Sequence, residues 1–233
     1  MSCSRRNFLT GAGAVIMTTG LAGTAVVSGR SQAYDDVYED IYEFKKLGMV
    51  YDETACIGCT ACTDACREVN NVPEGVSRLE ITRSEVQGEY PNADYQFDRI
   101  SCQHCENAPC VYVCPTGAAY KDPSTGIVDV HQDKCVGCGY CLLACPYQVR
   151  FFHPETKSAD KCNFCRDTNL AEGKLPACVE SCPTKALTFG DLNDPNSDVN
   201  KVIESKTVYR DKVHLGTKPQ LYKVAHEKGE VKS

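Results

Sequence analysis

Cysteines are the feature that most constrains the fold of this 233-residue chain. Of its 17 cysteines, all except Cys3 fall into four groups of four, called quartets here, with nearly the same internal spacing. In chain order the quartets are Cys56, Cys59, Cys62 and Cys66; Cys102, Cys105, Cys110 and Cys114; Cys135, Cys138, Cys141 and Cys145; and Cys162, Cys165, Cys178 and Cys182. Neighbouring thiols in a C-x2-C-x2-C run cannot all pair with one another without strain. The fold must therefore bring these sulfur atoms to shared partners.

The spacing favours iron–sulfur clusters over two alternatives. Three cysteines within seven residues, followed by a fourth, form the run with which bacterial ferredoxins hold [4Fe–4S] clusters. A proline follows the last cysteine of that run, as Pro115, Pro146 and Pro183 do here, although Arg67 follows Cys66. Quartet four alone would also fit a zinc knuckle, and a cysteine-dense exported chain is often a disulfide scaffold. We predict four [4Fe–4S] clusters, with a zinc-stabilised binding module as the alternative of another class.

The cubane shape explains why the ligands come from one tight loop and one more distant residue. In a C-x2-C-x2-C loop the backbone N–H groups point at the cluster and stabilise its negative charge. Gly58 and Gly137 suit such a close approach of the backbone. In two-cluster ferredoxins the fourth cysteine binds the partner cluster. The quartets are therefore predicted to work in pairs.

The first 33 residues read as an export signal. Ser4 to Thr10, S-R-R-N-F-L-T, matches a bacterial twin-arginine signal, and an uncharged run from Gly11 to Val27 follows it. Ser31 to Ala33 offers a cleavage site, although an uncleaved anchor stays open. We expect export by the twin-arginine route to the periplasm, because that route carries folded proteins with their cofactors. Residues 34–48 are predicted to be a polar lead-in.

Charge and motifs exclude several functions. Removing residues 1–33 removes three arginines and no acid, so the net charge of −6 becomes −9, which disfavours nucleic acid as a partner. No glycine-rich nucleotide loop and no nucleophile paired with a base are visible in the sequence. We predict an electron-transfer protein rather than an enzyme. His104 lies inside quartet two, where it either tunes a cluster or, as we favour, binds backbone.

Local patterns predict short elements around the quartets. We expect a strand over 49–51, a helix over 60–69 that places Cys62 and Cys66 on one face, and a strand over 79–82. Residues 118–130 are predicted to form a hairpin, and residues 149–152 and 186–189 read as strands. A helix is predicted through Ser205 with Ser197 as its N-cap. The rest of residues 191–233 is predicted to be a docking tail rather than a core element.

Several segments between the quartets resemble a known family. They are C-I-G-C-T-A-C-T-D-A-C-R-E-V-N from Cys56, V-P-E-G-V-S-R-L from Val72, S-C-Q-H-C from Ser101, C-P-Y-Q-V-R-F from Cys145, K-L-P-A-C-V-E-S-C-P-T-K-A-L-T-F-G from Lys174 and L-G-T-K-P-Q-L-Y from Leu215. The chain resembles the four-cluster ferredoxin-like subunits that serve dimethyl sulfoxide, polysulfide and related membrane reductases. It is most similar to the iron–sulfur subunit of the formate-dependent (Nrf) nitrite reductase system.

The resemblance implies a fold and a set of ligands for each cluster. The fold is α+β, with two ferredoxin-like dicluster domains of interleaved chain: residues 49–71 plus 155–190, and residues 95–154, with an insert at 72–94. The implied ligands are Cys56, Cys59, Cys62 and Cys182 (cluster 1); Cys102, Cys105, Cys110 and Cys145 (cluster 2); Cys135, Cys138, Cys141 and Cys114 (cluster 3); and Cys162, Cys165, Cys178 and Cys66 (cluster 4). Every implied position is a cysteine, so four [4Fe–4S] clusters are expected.

The resemblance also implies partners. A membrane subunit of the NrfD type would oxidise quinol and pass electrons to this chain, which is peripheral to the inner membrane. A periplasmic multihaem cytochrome would receive them and reduce nitrite. The alternative is an electron-transfer subunit for a sulfite, polysulfide or molybdopterin-dependent reductase.

Overall fold

The computed structural model describes residues 44–83 and 95–225. The predicted export signal, the lead-in up to residue 43 and residues 84–94 of the predicted insert lie outside the described residues. In the part of the chain that is described, no helix has the length and apolar character needed to cross a bilayer.

The described residues form short strands and short helices. The strands are β1 (Leu47–Asp52), β2 (Leu79–Arg83), β3 (Phe97–Ser101), β4 (Ala119–Lys121), β5 (Val128–Val130), β6 (Phe151–Phe152), β7 (Ala159–Asp160), β8 (Leu187–Asp191), β9 (Val208–Tyr209) and β10 (Leu221–Val224). The α-helices are α1 (Ala61–Val69), α2 (Pro109–Tyr112), α3 (Tyr140–Leu143), α4 (Ala177–Glu180) and α5 (Asp198–Ser205). The architecture is α+β, as predicted.

The largest sheet has four strands in the order β8-β1-β10-β9. β1 pairs antiparallel with β8 and parallel with β10. Met49 and Tyr51 of β1 belong to the cysteine-rich core, whereas Val50 packs with Val199 and Val224 in a second apolar cluster. Side chains alternate between the two faces of a strand, so β1 is buried on both faces. The predicted strand at 49–51 is confirmed and begins two residues earlier, at Leu47.

The position of β10 corrects one prediction. The sequence predicted a docking tail over 191–233, but Leu221 and Val224 are buried in the sheet, and β10 forms a ladder with β1. Lys223 makes the segment look polar along the chain. Its ammonium group is nevertheless buried and lies 2.8 Å from the Asp211 carboxylate. The prediction was wrong for residues 221–224 because the partner strand lies far away in sequence.

The remaining strands form three two-stranded antiparallel sheets: β2 with β3, β4 with β5, and β6 with β7. The predicted hairpin over 118–130 is confirmed as β4 and β5. In its turn the Asp122 carboxylate accepts a hydrogen bond from the Ser124 N–H at 2.8 Å, and Gly126 has a φ of 72°. The predicted strand at 79–82 is confirmed as β2.

Two longer helices agree with the sequence. α1 covers the predicted helix over 60–69, and its buried residues are Cys62 and Cys66. α5 ends at Ser205 as predicted, but Ser197 does not cap it through its side chain. The Ser197 hydroxyl instead donates to the Asp191 carbonyl at 2.6 Å, which ties the helix to β8.

Helix packing brings particular quartets together. α1, which carries part of quartet one, packs against α4, which carries part of quartet four. α2 and α3, from quartets two and three, also pack against each other. The three one-turn helices α2, α3 and α4 each hold the third cysteine of their quartet in a buried position. The exact limits of the two predicted domains stay predictions.

If β10 is a core strand, truncating Leu221 should destabilise the protein. We expect Leu221→Ala to lower the free energy of unfolding by about 2–5 kcal/mol, because a fully buried leucine leaves a cavity. The measurement is anaerobic denaturant unfolding. Leu215→Ala is the control, since Leu215 is 48% exposed and should change stability by less than about 1 kcal/mol. Equal effects of the two variants would contradict a core role for β10.

Candidate metal centres

Three cavities in the described part of the chain are each lined by four cysteines. Their cysteines are, respectively, Cys114, Cys135, Cys138 and Cys141; Cys56, Cys59, Cys62 and Cys182; and Cys102, Cys105, Cys110 and Cys145. These are the sets predicted for clusters 3, 1 and 2. Three cysteines of one quartet are joined in each case by the last cysteine of its partner quartet. The structure brings the sulfur atoms together, and ligation by each stays a prediction.

The remaining four cysteines form the predicted cluster 4 set. Cys66, Cys162, Cys165 and Cys178 are all buried. Asn70 links two of them, because its Nδ2 atom donates to the Cys165 sulfur at 3.3 Å and lies 3.8 Å from the Cys66 sulfur. Burial raises the pKa of Cys66, and the charges of the other three thiolates raise it further. The last cysteine of quartet one therefore sits among the sulfurs of quartet four.

The four sets differ in depth. All eight cysteines of the cluster 2 and cluster 4 sets are buried, whereas Cys59 of the cluster 1 set and Cys138 of the cluster 3 set are exposed. Quartet one supplies sets 1 and 4, and quartet two supplies sets 2 and 3, so those sets are neighbours. The sets form a series in which 4 and 2 lie inside and 1 and 3 lie at the surface.

The residue before the second cysteine of each quartet has a positive φ. Gly58 and Gly137 adopt φ values of 69° and 67° in quartets one and three. In quartets two and four the corresponding residues are His104, with φ 44°, and Phe164, with φ 56°. Side chains in this region cost about 1–2 kcal/mol each. The two inner loops therefore accept backbone strain that the two outer loops avoid.

His104 and Phe164 stack on each other, with ring centroids 3.7 Å apart. The stack joins the loop of quartet two to the loop of quartet four, and thereby the two inner cysteine sets. Nδ1 of His104 accepts a hydrogen bond from the Val128 N–H at 3.1 Å. This contact agrees with the favoured interpretation of His104 as a histidine bound to backbone. Burial, followed by the charge of Lys161, holds the pKa of His104 well below its usual value.

Backbone N–H groups also reach the sulfurs. The N–H of Ala119 donates to Cys114 and the N–H of Ala186 donates to Cys182, each at 3.3 Å. Both contacts lie in the repeated C-P-T segments that follow the second and fourth quartets. Partial burial opposes ionisation of Cys114, but hydrogen bonds from Ala119 and Thr116 hold its pKa below the usual value of a thiol. The loop around Cys114 therefore favours the thiolate form of this cysteine, which is the form that binds iron.

Two buried arginines were not predicted from the sequence. Nη2 of Arg99 donates to the Cys178 sulfur at 3.7 Å, and Nη2 of Arg150 donates to the Cys110 sulfur at 3.0 Å. In both residues Nη1 is buried without a hydrogen-bond partner. The available signal was weak: Arg99 lies in D-R-I-S directly before quartet two, and Arg150 lies in the strand-like segment V-R-F-F after quartet three.

These features fit an anionic cluster held by four thiolates. Within the described residues no three Cys, His, Asp or Glu side chains converge on the position of a single ion, and none of the sixteen described cysteines forms a disulfide. The four sulfurs of a set surround a volume instead. Burial raises the pKa of Cys105 to about 12, so such thiols stay protonated unless iron replaces the proton. The orphaned Nη1 atoms supply donors for the sulfides of a bound cluster.

Comparison with known families agrees with this geometry. Residues 55–118 and residues 93–192 each match a family model described as a 4Fe-4S dicluster domain. The chain is therefore a ferredoxin-like dicluster protein with four [4Fe–4S] clusters, and its class is that of iron–sulfur electron carriers. The zinc and disulfide alternatives are excluded by this result.

Similarity to individual proteins narrows the class. The chain is 61% identical to the "Protein NrfC homolog" of Haemophilus influenzae, over 98% of this chain and 97% of that protein. It is 53% identical to the B subunit of polysulfide reductase from Wolinella succinogenes, over 81% of this chain and 99% of that protein. It is 50% identical to the thiosulfate reductase electron transfer subunit PhsB of Salmonella typhi, over 78% of this chain and 94% of that protein. This protein belongs to the NrfC family, and it is an iron–sulfur electron-transfer subunit.

Close packing at Gly58 generates a prediction about the first cluster loop. A Cβ atom at Gly58 would lie 2.2 Å from the Phe97 ring, in addition to the cost of its φ of 69°. We expect Gly58→Ala to lower the iron content by about one cluster in four, because the loop would have to move away from its site. Gly173→Ala is the matched control: Gly173 has a φ of 73° and open space around its Cβ position. Iron analysis of both anaerobic preparations checks this, and equal losses would exclude the steric explanation.

The sharing of quartets predicts an unusual result for Cys66. We expect Cys66→Ser to damage cluster 4, which is held mainly by quartet four, and to leave cluster 1 intact. Cys62→Ser, four residues earlier on the same buried face of α1, should damage cluster 1 instead. Electron paramagnetic resonance of the reduced variants distinguishes the two clusters. Loss of the same signal in both variants would contradict the proposed sharing.

Proposed function

We propose that this chain is a periplasmic subunit that relays electrons from a membrane quinol-oxidising subunit of the NrfD type to a multihaem cytochrome nitrite reductase in anaerobic respiration. Each [4Fe–4S] cluster supplies one-electron redox chemistry. The chain itself holds the four clusters in series and separates the inner pair from water. The proposal adds the partners, the terminal acceptor and the compartment to the electron-transfer role.

The depth of the cysteine sets is the observation that carries the proposal. A relay needs two sites that partners can approach and an interior that prevents loss of electrons to other acceptors. Cys59 and Cys138 are exposed in the two outer sets, whereas the inner sets are buried throughout. The chain therefore has one place for an electron donor and one for an acceptor. This arrangement supports a carrier between two different proteins.

The surface around the cluster 3 set supports docking to a membrane subunit. Tyr112 of α2 is 76% exposed and Leu143 of α3 is 87% exposed, on two helices that pack together. Val136 and Tyr140, on either side of Cys138, are also exposed. Large apolar side chains grouped in this way mark an interaction site on a protein surface. We call these four residues the cluster 3 surface and assign it to the membrane subunit.

The surface around the cluster 1 set is more polar. Ile57 is exposed beside Cys59, but the neighbouring exposed side chains include those of Thr60, Asp64, Thr184 and Lys185. Polar and charged groups around a small apolar centre suit a transient contact with a soluble partner. We therefore assign this surface to the periplasmic cytochrome, which would accept electrons from cluster 1.

The amino-terminal motif supports the compartment. The segment S-R-R-N-F-L-T from Ser4 lies outside the described residues, so its support comes from the sequence alone. A twin-arginine route delivers folded proteins and would let the clusters assemble before export. Free thiols would otherwise be oxidised outside the cytoplasm. Periplasmic location is thus part of the proposal, and its chemical reason is that clusters inserted before export protect the thiols from oxidation.

The acceptor is assigned by resemblance. The NrfC relative matches almost the full chain, whereas the polysulfide relative matches a smaller share at lower identity. We therefore place nitrite first and keep a sulfite, polysulfide or molybdopterin-dependent reductase as the alternative. The partner that purifies with the chain distinguishes these possibilities.

Anaerobic membrane binding tests the proposal. We expect the full chain to sediment with membranes that contain the quinol subunit, and a quinol to reduce its clusters only when those membranes are present. Leu143→Glu should weaken sedimentation at least tenfold, because a carboxylate would be buried in an apolar contact. Ile57→Glu is the matched control: it should leave sedimentation unchanged and weaken transfer to the cytochrome.

Two outcomes would contradict parts of the proposal. If Ile57→Glu releases the chain from the membranes while Leu143→Glu sediments normally, the two surfaces have been assigned to the wrong partners. Electrons would then enter at cluster 1 and leave at cluster 3. Co-purification with a molybdopterin subunit, and with no multihaem cytochrome, would replace nitrite by the alternative acceptor. In both cases the electron-transfer role itself would stand.

A further inference from the structure

The guanidinium groups of Arg99 and Arg150 are buried cations without a carboxylate partner among the described residues. Arg99 is 1% exposed and Arg150 is 7% exposed, and neither takes part in an ion pair with a described acid. Arg78 is compensated in the usual way for a largely buried arginine, because its guanidinium lies 3.0 Å from the Asp160 carboxylate. A buried charge needs compensation of opposite sign. For Arg99 and Arg150 the available negative groups are cysteine sulfurs.

The hydrogen bonds of the two groups are incomplete in the same way. Arg99 donates from Nε to the Ser101 hydroxyl at 3.1 Å and from Nη2 to Cys178, and Arg150 donates from Nη2 to Cys110. Nη1 has no partner in either residue. A buried N–H without an acceptor destabilises the fold, because it has lost its hydrogen bonds to water. The sulfide of a bound cluster is an acceptor that the protein atoms do not supply.

Each arginine lies beside two cysteine sets, and Arg99 is described first. Nη2 of Arg99 reaches the Cys178 sulfur on α4, and α4 packs against α1, which carries Cys62. Cys62 belongs to the cluster 1 set and Cys178 to the cluster 4 set. Arg99 therefore lies between the two sets that share quartets one and four.

Arg150 has the equivalent position in the other pair. Nη2 of Arg150 reaches the Cys110 sulfur on α2, and α2 packs against α3, which carries Cys141. Cys110 belongs to the cluster 2 set and Cys141 to the cluster 3 set. Arg150 also lines the cavity of the cluster 2 set. Each pair of sets thus has one buried guanidinium in common.

Lys161 shows that burial of a cation does not by itself produce this arrangement. Its ammonium group is also buried, but it donates to the carbonyls of Val128 and Cys162 and lies 3.8 Å from the Asp129 carboxylate. The hydrogen bonds of Lys161 are therefore met by protein groups. Arg99 and Arg150 differ because the Nη1 atom of each has no acceptor among the protein atoms and is free to donate to a bound cluster.

We propose that Arg99 and Arg150 set the reduction potentials of the clusters in pairs, Arg99 for clusters 1 and 4 and Arg150 for clusters 2 and 3. A cluster with four thiolates is an anion and becomes more negative when it is reduced. A cation and N–H donors close to it stabilise the reduced form more than the oxidised form, which raises the potential. The inference rests on the four-cluster content and is independent of the proposed partners.

A redox titration of the isolated, anaerobically purified chain tests the proposal. At a fixed potential, Arg99→Gln should lower the ratio of reduced to oxidised cluster about tenfold for clusters 1 and 4, a shift of about 59 mV for one electron. Arg150→Gln should do the same for clusters 2 and 3. Electron paramagnetic resonance follows each cluster, with signals assigned through cysteine-to-serine variants. Each arginine variant is the control for the other pair of clusters.

Additional variants separate charge from packing. Arg99→Lys and Arg150→Lys keep the charge and should retain most of the wild-type potential. Arg210→Gln, which removes a guanidinium that lies over the Tyr222 ring, should leave all four potentials unchanged. If a glutamine variant fails to assemble its clusters, the lysine variant must assemble them with potentials near the wild type.

Several results would overturn the proposal. Unchanged potentials in assembled glutamine variants would exclude an electrostatic role. Equal shifts of all four clusters would exclude the division into pairs, and equal effects of lysine and glutamine would show that packing is responsible. Failure of both the glutamine and the lysine variants to assemble would assign the arginines to folding instead. None of these results depends on a membrane subunit or a cytochrome, so the proposed function can fail separately.

Discussion

Burial of negative charge is the constraint on which the rest of the structure depends. Two of the four cysteine sets have no exposed member, and an anion in such a place is costly unless donors or cations surround it. The chain meets this requirement in the two buried sets with guanidinium groups at Cys110 and Cys178, and in the outer sets backbone N–H groups donate to Cys114 and Cys182. Iron binding and folding are therefore coupled, because the donors have their full set of acceptors only when the clusters are present.

Sharing of quartets explains why short strands and one-turn helices suffice as a scaffold. Each pair of cysteine sets joins segments that are distant in sequence, as when Cys66 meets Cys162 and Cys165. The clusters thus act as cross-links, and they reduce the need for long helices or a large continuous apolar core. The strain at His104 and Phe164 fits the same view, since their ring stack holds the two inner loops against each other.

Sequence reasoning succeeded where structure is local. The C-x2-C loops, helix α1 and the β4–β5 hairpin depend on neighbouring residues, and they were predicted within a few positions. It failed for β10, because the parallel partner of Leu221 is Met49, and no local pattern specifies a pairing over that distance. It also missed Arg99 and Arg150, since spacing alone does not reveal whether a guanidinium is exposed or buried. The depth of each cysteine set likewise follows from tertiary packing.

The arrangement of cations has a consequence for a relay. Burial alone makes a cluster harder to reduce, because the reduced form carries more negative charge and loses more hydration energy. Without compensation the two inner clusters would form an uphill step between the two exposed ones. The hydrogen bonds of Arg99 and Arg150 go to Cys178 and Cys110, both of which belong to inner sets, so the arginines offset burial at the sites where that offset is needed. A protein that has to pass electrons through its interior gains from placing unpaired cations there, in spite of the cost of burying them.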